Sequence, residues 1–148
     1  MRPSVHKIRI MSHLGLVTLV VRDYDEAIAF YVGVLGFELV EDTPLAGDKR
    51  WVIVRPKGAR ETALLLARAA TSDQRRRIGD QTGGRVGFFL YTDDFAGEYE
   101  RLRSAGVFFE ETPRRESYGT VAVFRDLYGN RWDLLQPGSS DVGQAGSG

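Results

Sequence analysis

The chain contains no cysteine. Disulfide staples, zinc–thiolate sites and thiol nucleophiles are therefore excluded at the outset. Histidine is nearly as scarce, with only His6 and His13. A Ser–His triad or a histidine-rich metal centre would have to draw on those two. No apolar run approaches the roughly 20 residues that a membrane-spanning helix needs. An excess of charge of one sign is missing as well. The 20 Lys and Arg residues balance 20 Asp and Glu, so no global field draws the chain to nucleic acid or to an anionic membrane, and neither is an expected partner. There is no phosphate-cradling GxGxxG or GxxxxGK loop, no GxSxG elbow and no HExxH. The apolar run after Met11 lacks a small-residue cleavage site and leads straight into Arg22-Asp23, so it does not read as a signal peptide, and a cytoplasmic protein is expected.

What is present is ordinary in bulk and patterned in detail. At 148 residues, 43% apolar and 27% charged, the chain suits one soluble domain with a substantial core. Leu14 to Val21 is a β-branched apolar run of strand length. Asp23 can cap a helix, and Asp25 and Glu26 sit where the helix dipole favours negative charge. Ala27, Ile28, Tyr31, Val34 and Leu35 make one apolar stripe at helical spacing. Gly36 is placed to stop the helix, and Phe37 to Val40 resumes as a strand. The grammar then returns. Val86 to Tyr91 is apolar, Asp94 can cap, Tyr99, Leu102 and Ala105 form a stripe, Gly106 ends it, and Val107 to Phe109 reads as a strand. Setting Asp23 on Asp94, an offset of 71 (94 − 23), lays Leu19 on Leu90, Ile28 on Tyr99 and Tyr31 on Leu102. The domain reads as two copies of one unit.

Each copy continues with two further strands. In the first these are Lys49 to Arg55 and Glu61 to Ala67; in the second, Thr120 to Arg125 and Arg131 to Gln136, joined by the turn Asp126-Leu127-Tyr128-Gly129-Asn130. The expected fold class is α+β, two βαβββ modules forming a curved mixed sheet that encloses a cavity. The expected divisions are a flexible N-terminal arm over 1–13, with Met11 an alternative start, a first module over 14–67, a connector over 68–84, a second module over 85–137 and a disordered tail over 138–148. Within the connector, Thr71-Ser72-Asp73 can cap a short helix over Gln74 to Ile78, and Arg75-Arg76-Arg77 reads as a solvated face. The segment Glu110 to Gly119 reads as a polar loop with its two glutamates solvated, Tyr128 as a surface residue and Trp132 as core.

Three segments, LVTLVVRDYDEAIAFYVGVLGFELVED, VGFFLYTDDFAGEYERLRSAGVFF and FRDLYGNRWDLLQP, occur in the order seen in the vicinal oxygen chelate superfamily. Over residues 14–137 the chain resembles its glyoxalases, bleomycin-resistance proteins, extradiol dioxygenases and fosfomycin-resistance enzymes. In metal-using members the resemblance implies four ligands, on the first and last strand of each copy. Carried onto this chain, those positions are Leu16, Leu65 or Leu66, Gly87 and Asp133. Only Asp133 has a side chain able to bind a cation. His13 is an odd number of residues from Leu16 and so lies on the other sheet face. No metal or other cofactor is therefore expected, and Gly87 is expected to leave space where a ligand side chain would stand.

With the metal gone, the cavity remains. Strand alternation gives it the residues Leu16, Thr18, Gly87, Phe89, Tyr91, Arg131 and Asp133, apolar and aromatic with a few polar groups, as suits an organic molecule. Trp51, Arg55, Tyr118 and Phe124 are further wall candidates whose faces the sequence leaves open. Arg131 and Asp133 could also pair with each other. The leading functional expectation is a homodimeric protein that binds a small, largely apolar or aromatic organic molecule. The alternative is a lyase, isomerase or dioxygenase holding a divalent metal through unconventional ligands that include Asp133. Two others are a metal-independent enzyme with Asp133 as general base, and a purely structural or partner-binding dimer.

Overall fold

A computed structural model describes residues 11–138. The N-terminal arm up to residue 10, with His6, and the tail from residue 139 lie outside the described residues. The order of elements is β1 (Leu16–Val21), α1 (Tyr24–Ile28) continued by a π-helical segment (Ala29–Val34), β2 (Glu38–Pro44), β3 (Arg50–Arg55), β4 (Ala63–Arg68), α2 (Ser72–Arg76), β5 (Val86–Tyr91), α3 (Phe95–Ser104), β6 (Arg114–Glu116), β7 (Gly119–Arg125) and β8 (Arg131–Pro137). The strands form two four-stranded mixed sheets with the same topology, β1-β4-β3-β2 and β5-β8-β7-β6. In each, the first and last strands of the module run parallel and the others antiparallel. This is the expected duplicated βαβββ arrangement.

Local chemistry explains the helices. The Asp23 carboxylate accepts the backbone N–H of Glu26, and Asp94 that of Gly97, so the two copies start their helices with the same cap. Tyr24, Ala27, Tyr31 and Leu35 bury their side chains on one stripe. The pattern cannot reveal that the second half of this helix widens. Leu35 N–H bonds to the Phe30 carbonyl, five residues back. Gly36 then takes a positive φ of 82° and Phe37 N–H reaches back to the Tyr31 carbonyl, a glycine-terminated helix end.

One hydrophobic core serves both modules. It collects the helix-side residues of both sheets, among them Leu19, Val21, Val52, Val54, Leu64 and Leu66 from the first and Leu90, Ala122, Phe124, Trp132 and Leu134 from the second. Trp132 stands at its centre as expected. It stacks on Phe88 at 4.6 Å and on Phe124 at 5.8 Å, and lies 5.9 Å from Tyr31 and 6.0 Å from Phe37, all centroid to centroid. Tyr31 and Phe37 belong to the first module, so this aromatic group joins the two. Arg101 of α3 adds a polar tie, donating to the Val34 and Leu35 carbonyls at the end of the first module's helix.

Several sequence expectations shift. Val107–Phe109 is no strand; it makes one bridge, Phe109 to Phe124, and the edge strand β6 forms later, inside the segment read as a loop. In the first module β2 runs on to Pro44, with a bulge between Leu39 and Glu41. The connector helix spans Ser72–Arg76 under a Thr71 cap. Beyond it the Gln81 side chain lies along the outer edge of β1, accepting the Val20 N–H at 2.8 Å and donating to the Thr18 carbonyl at 2.7 Å. Among the described residues no helix is long and apolar enough to cross a membrane.

Candidate functional site

Each sheet has a helix-covered side and an opposite side, here called the cup face. Side chains alternate between them along each strand. In the first module Leu19 and Val21 of β1 enter the core, which leaves Leu16, Thr18 and Val20 on the cup face. Thr18 pairs with Leu65, and Leu65 with Ile53. The register thus chooses between the two leucines left open by the sequence: Leu66 is core and Leu65 faces the cup. Trp51 and Arg55 share the side of Ile53 by alternation. In the second module Phe89 pairs with Asp133 and Tyr91 with Leu135, while Val123 and Val121 of β7 lie beside Asp133 and Leu135. Of the remaining wall candidates, Phe124 is core and Tyr118 is exposed.

The two cup faces differ in chemistry. That of the first module is aliphatic on β1 and β4 apart from Thr18, with Trp51 and Arg55 on β3 and Glu38, Glu41 and Thr43 on the edge strand β2. That of the second carries two aromatic rings that stand well out: Phe89 is 57% exposed and Tyr91 64%. Directly beside Phe89 on the neighbouring strand is Asp133, only 7% exposed. Its Oδ1 is one of two buried side-chain nitrogen or oxygen atoms that lack a hydrogen-bond partner among the described residues; the other is Arg55 Nε. Burial pushes the Asp133 carboxyl above its usual range, and nearby Glu111 adds to this while Arg114 and Arg131 oppose it.

Arg131 does not pair with Asp133. Its guanidinium makes two hydrogen bonds to Glu110, each 3.0 Å, and a third to the Gly84 carbonyl. Glu110 also accepts from Arg125 at 2.7 Å. Arg131, then Arg125, hold the Glu110 carboxyl below its ordinary range against the opposing effect of burial. Glu111 accepts the Val123 N–H and the Arg114 guanidinium. The two glutamates are thus fixed by ion pairs on the second sheet, contrary to the solvated loop expected. The strand pattern could not indicate this, because the partner of Arg131 lies 21 residues away.

Gly87 also behaves differently from expectation. It is the extra residue at a register shift between Val86 and Phe88 in the β5–β8 pairing. A Cβ built there would lie 2.6 Å from Thr82 Cγ2. The connector fills the space, so glycine serves a close approach of chain segments instead of leaving a vacancy. Gly87, Phe88 and Phe89 do line an apolar cleft of about 340 Å³ at the seam between modules, with Val17, Phe37 and Trp132.

Tyr128 is a further correction. It is half-buried, and its hydroxyl donates to Glu26 at 2.8 Å. Its neighbour Asp126 is a buried hub. It accepts from the Tyr31 hydroxyl at 2.5 Å, from the N–H groups of Tyr128, Gly129 and Asn130, from Asn130 Nδ2 at 3.0 Å and from Trp132 Nε1 at 3.4 Å. Burial, then the Asp126 charge, raise the Tyr31 hydroxyl well above its ordinary pKa, so it remains a donor. This arrangement locks the modules together and leaves Asp126 no spare acceptor for chemistry.

The metal site of metal-using relatives does not fit this donor set. Leu16, Leu65 and Gly87 offer no coordinating atom, and one carboxylate alone does not hold a first-row ion. Among the described residues no three His, Asp or Glu side chains converge in a manner able to hold a cation.

Comparison with known proteins agrees with the fold. The family model described as "Glyoxalase/Bleomycin resistance protein/Dioxygenase superfamily" matches residues 12–134. An uncharacterized protein of Shewanella frigidimarina is 57% identical over 121 residues, 81% of this chain and 90% of that protein. Among solved structures, UcmS2 is 35% identical with a TM-score of 0.74, over 85% of this chain and 98% of its own. TnmS3, an antibiotic binding protein from Streptomyces sp. CB03234, is 34% identical with a TM-score of 0.71, over 88% of this chain and all of its own, 100%. The chain belongs to the glyoxalase/bleomycin resistance protein/dioxygenase superfamily.

Proposed function

We propose that this protein binds a small, largely apolar or aromatic organic molecule without a metal ion, and that it does so as a homodimer. The observation that carries the reading is the cup face of the second module. There Phe89 and Tyr91 stand exposed over a floor of Leu135, Val121 and Val123, with the buried carboxyl of Asp133 beside Phe89. Burying a large apolar side chain is worth roughly 1.5–3 kcal/mol, so leaving two rings in water is costly unless something covers them.

Among the described residues nothing does. The shared core takes the helix sides of both sheets, and Leu65, Phe89, Tyr91, Leu135 and Asp133 are all outside it. The proposed cover is the first module's cup face from a second copy, with Leu16, Thr18 and Leu65 set against Phe89, Tyr91 and Asp133. The ligand would then lie between an aliphatic wall and an aromatic one, a mainly apolar enclosure with few polar groups. That a relative 34% identical to this chain is an antibiotic binding protein supports the ligand class.

Two measurements test the reading. Light scattering should give twice the chain mass, and a thermal-shift screen of aromatic and polycyclic compounds should find ligands that raise Tm by mass action. A monomeric mass together with a screen without hits overturns it. Stoichiometric iron, manganese, nickel or zinc in protein purified without a chelating tag would replace it with metal-dependent chemistry through Asp133.

A further inference from the structure

Asp133 is anomalous among the carboxylates around it. Asp126, equally buried, is saturated with donors. Glu110 is held by two arginines, and Glu111 by Arg114 and the Val123 N–H. The cations nearest in effect on Asp133 are engaged elsewhere, Arg131 with Glu110 and Gly84, Arg114 with Glu111 and Glu116. Asp133 thus sits 93% buried, by its 7% exposure, with an Oδ1 that no group among the described residues satisfies. A buried polar atom without a partner is destabilising, and native proteins rarely retain one without a use.

The place of this atom indicates the use. Strand register sets Asp133 directly between Phe89 on β5 and Val123 on β7, on the cup face and not in the core. The corresponding position of the first module, paired with Thr18 and Ile53 as Asp133 is with Phe89 and Val123, holds Leu65. The fold accepts an aliphatic residue at that position, so the carboxyl is not required to build the sheet. The terminal torsion of an aspartate is broad, and either oxygen can turn toward a molecule laid across Phe89.

We propose that Asp133 is the polar anchor of the bound molecule, accepting a hydrogen bond from a hydroxyl or ammonium group at the edge of an otherwise apolar aromatic ring system. This rests on the binding function proposed above and adds the one polar feature the ligand must carry. The apolar walls select for ring surface; the unpaired carboxyl selects for a donor at one edge, and discriminates against the same ring lacking it, because that ring leaves the carboxyl desolvated and unpaired.

The test is a matched series measured by titration calorimetry on the full-length protein: 2-naphthol, 2-naphthylmethylammonium and 2-methoxynaphthalene. Either donor-bearing compound is expected to bind the wild type roughly tenfold more tightly than the methoxy compound, the usual scale of a hydrogen bond to a charged group. Whichever of the two binds better identifies the donor as neutral or cationic. Asp133→Leu, which copies Leu65, should keep binding of 2-methoxynaphthalene and erase the preference, and Asp133→Asn should weaken the preference in a folded protein. Equal binding of all three compounds by the wild type, or a preference that survives in Asp133→Leu, overturns the anchor while leaving the cavity in place. Failure of every compound to bind overturns the cavity and the anchor together.

Discussion

The two modules share strand order, capping acids and core positions, yet their outer faces have diverged. Leu19 and Leu90, Tyr31 and Leu102 keep matching places in the core. On the cup face Thr18 stands opposite Leu65 where Phe89 stands opposite Asp133. At the turn before the last strand the first module has Pro56-Lys57-Gly58, while the second has the Asp126 hub. Duplication preserved what packs, because a core tolerates few changes of volume. It released what faces outward. The second module carries both the polar lock that holds its twin and the unpaired carboxyl and exposed rings proposed to bind the ligand.

The comparison can be broken most severely at the lock. Asp126→Ala leaves the Tyr31 hydroxyl, Asn130 and the Trp132 indole without their acceptor, and should cost about 3–5 kcal/mol in urea unfolding. Pro56→Ala at the corresponding turn of the first module should stay within about 1 kcal/mol. Next in size is Leu65→Asp, which gives the first cup face the second's carboxyl without a ligand to use it. It should destabilise by roughly 2–3 kcal/mol at neutral pH, read as a lower denaturant midpoint. Tyr31→Phe removes one donor from Asp126 and should cost about 1–2 kcal/mol. The reverse exchange, Asp133→Leu, sharpens the comparison through pH. The raised carboxyl means that the folded chain holds a proton which the unfolded chain releases, so Asp133 lowers stability progressively as pH rises from the ordinary carboxyl range through its raised value. The stability difference between variant and wild type should therefore grow over that window and then level off, as measured by denaturation at several pH values. Smallest is Phe89→Ser, which should alter the stability of the single chain by less than about 0.5 kcal/mol while weakening ligand binding and dimerisation, seen by calorimetry and light scattering.

The sequence made the fold legible because its signals were local and repeated. Asp23 and Asp94 cap as their types suggest, the stripe through Ala27, Tyr31 and Leu35 is buried, and Trp132 is core. The candidate site was legible in its parity and less so in its partners. Alternation placed Phe89, Tyr91 and Asp133 on one face, but Glu110 as the partner of Arg131, Glu26 as that of Tyr128 and Thr82 against Gly87 are contacts of the folded chain with no signature in spacing. The π-helical widening at Ala29–Val34 escaped for another reason: its side chains keep a helical stripe while the backbone bonds move by one residue. Glu110 and Glu111 read as solvated because they open the polar stretch Glu110 to Gly119, whose edge strand Arg114–Glu116 has no apolar alternation.

The Gln81 side chain along the rim of β1 has a consequence for solubility. By occupying the Val20 N–H and the Thr18 carbonyl, a single amide plays the part of a missing neighbour and denies that strand to any passing chain. The linker between the halves is therefore also a guard against runaway strand addition, and a chain whose linker works loose offers its first strand as a seed for aggregation before its core has opened.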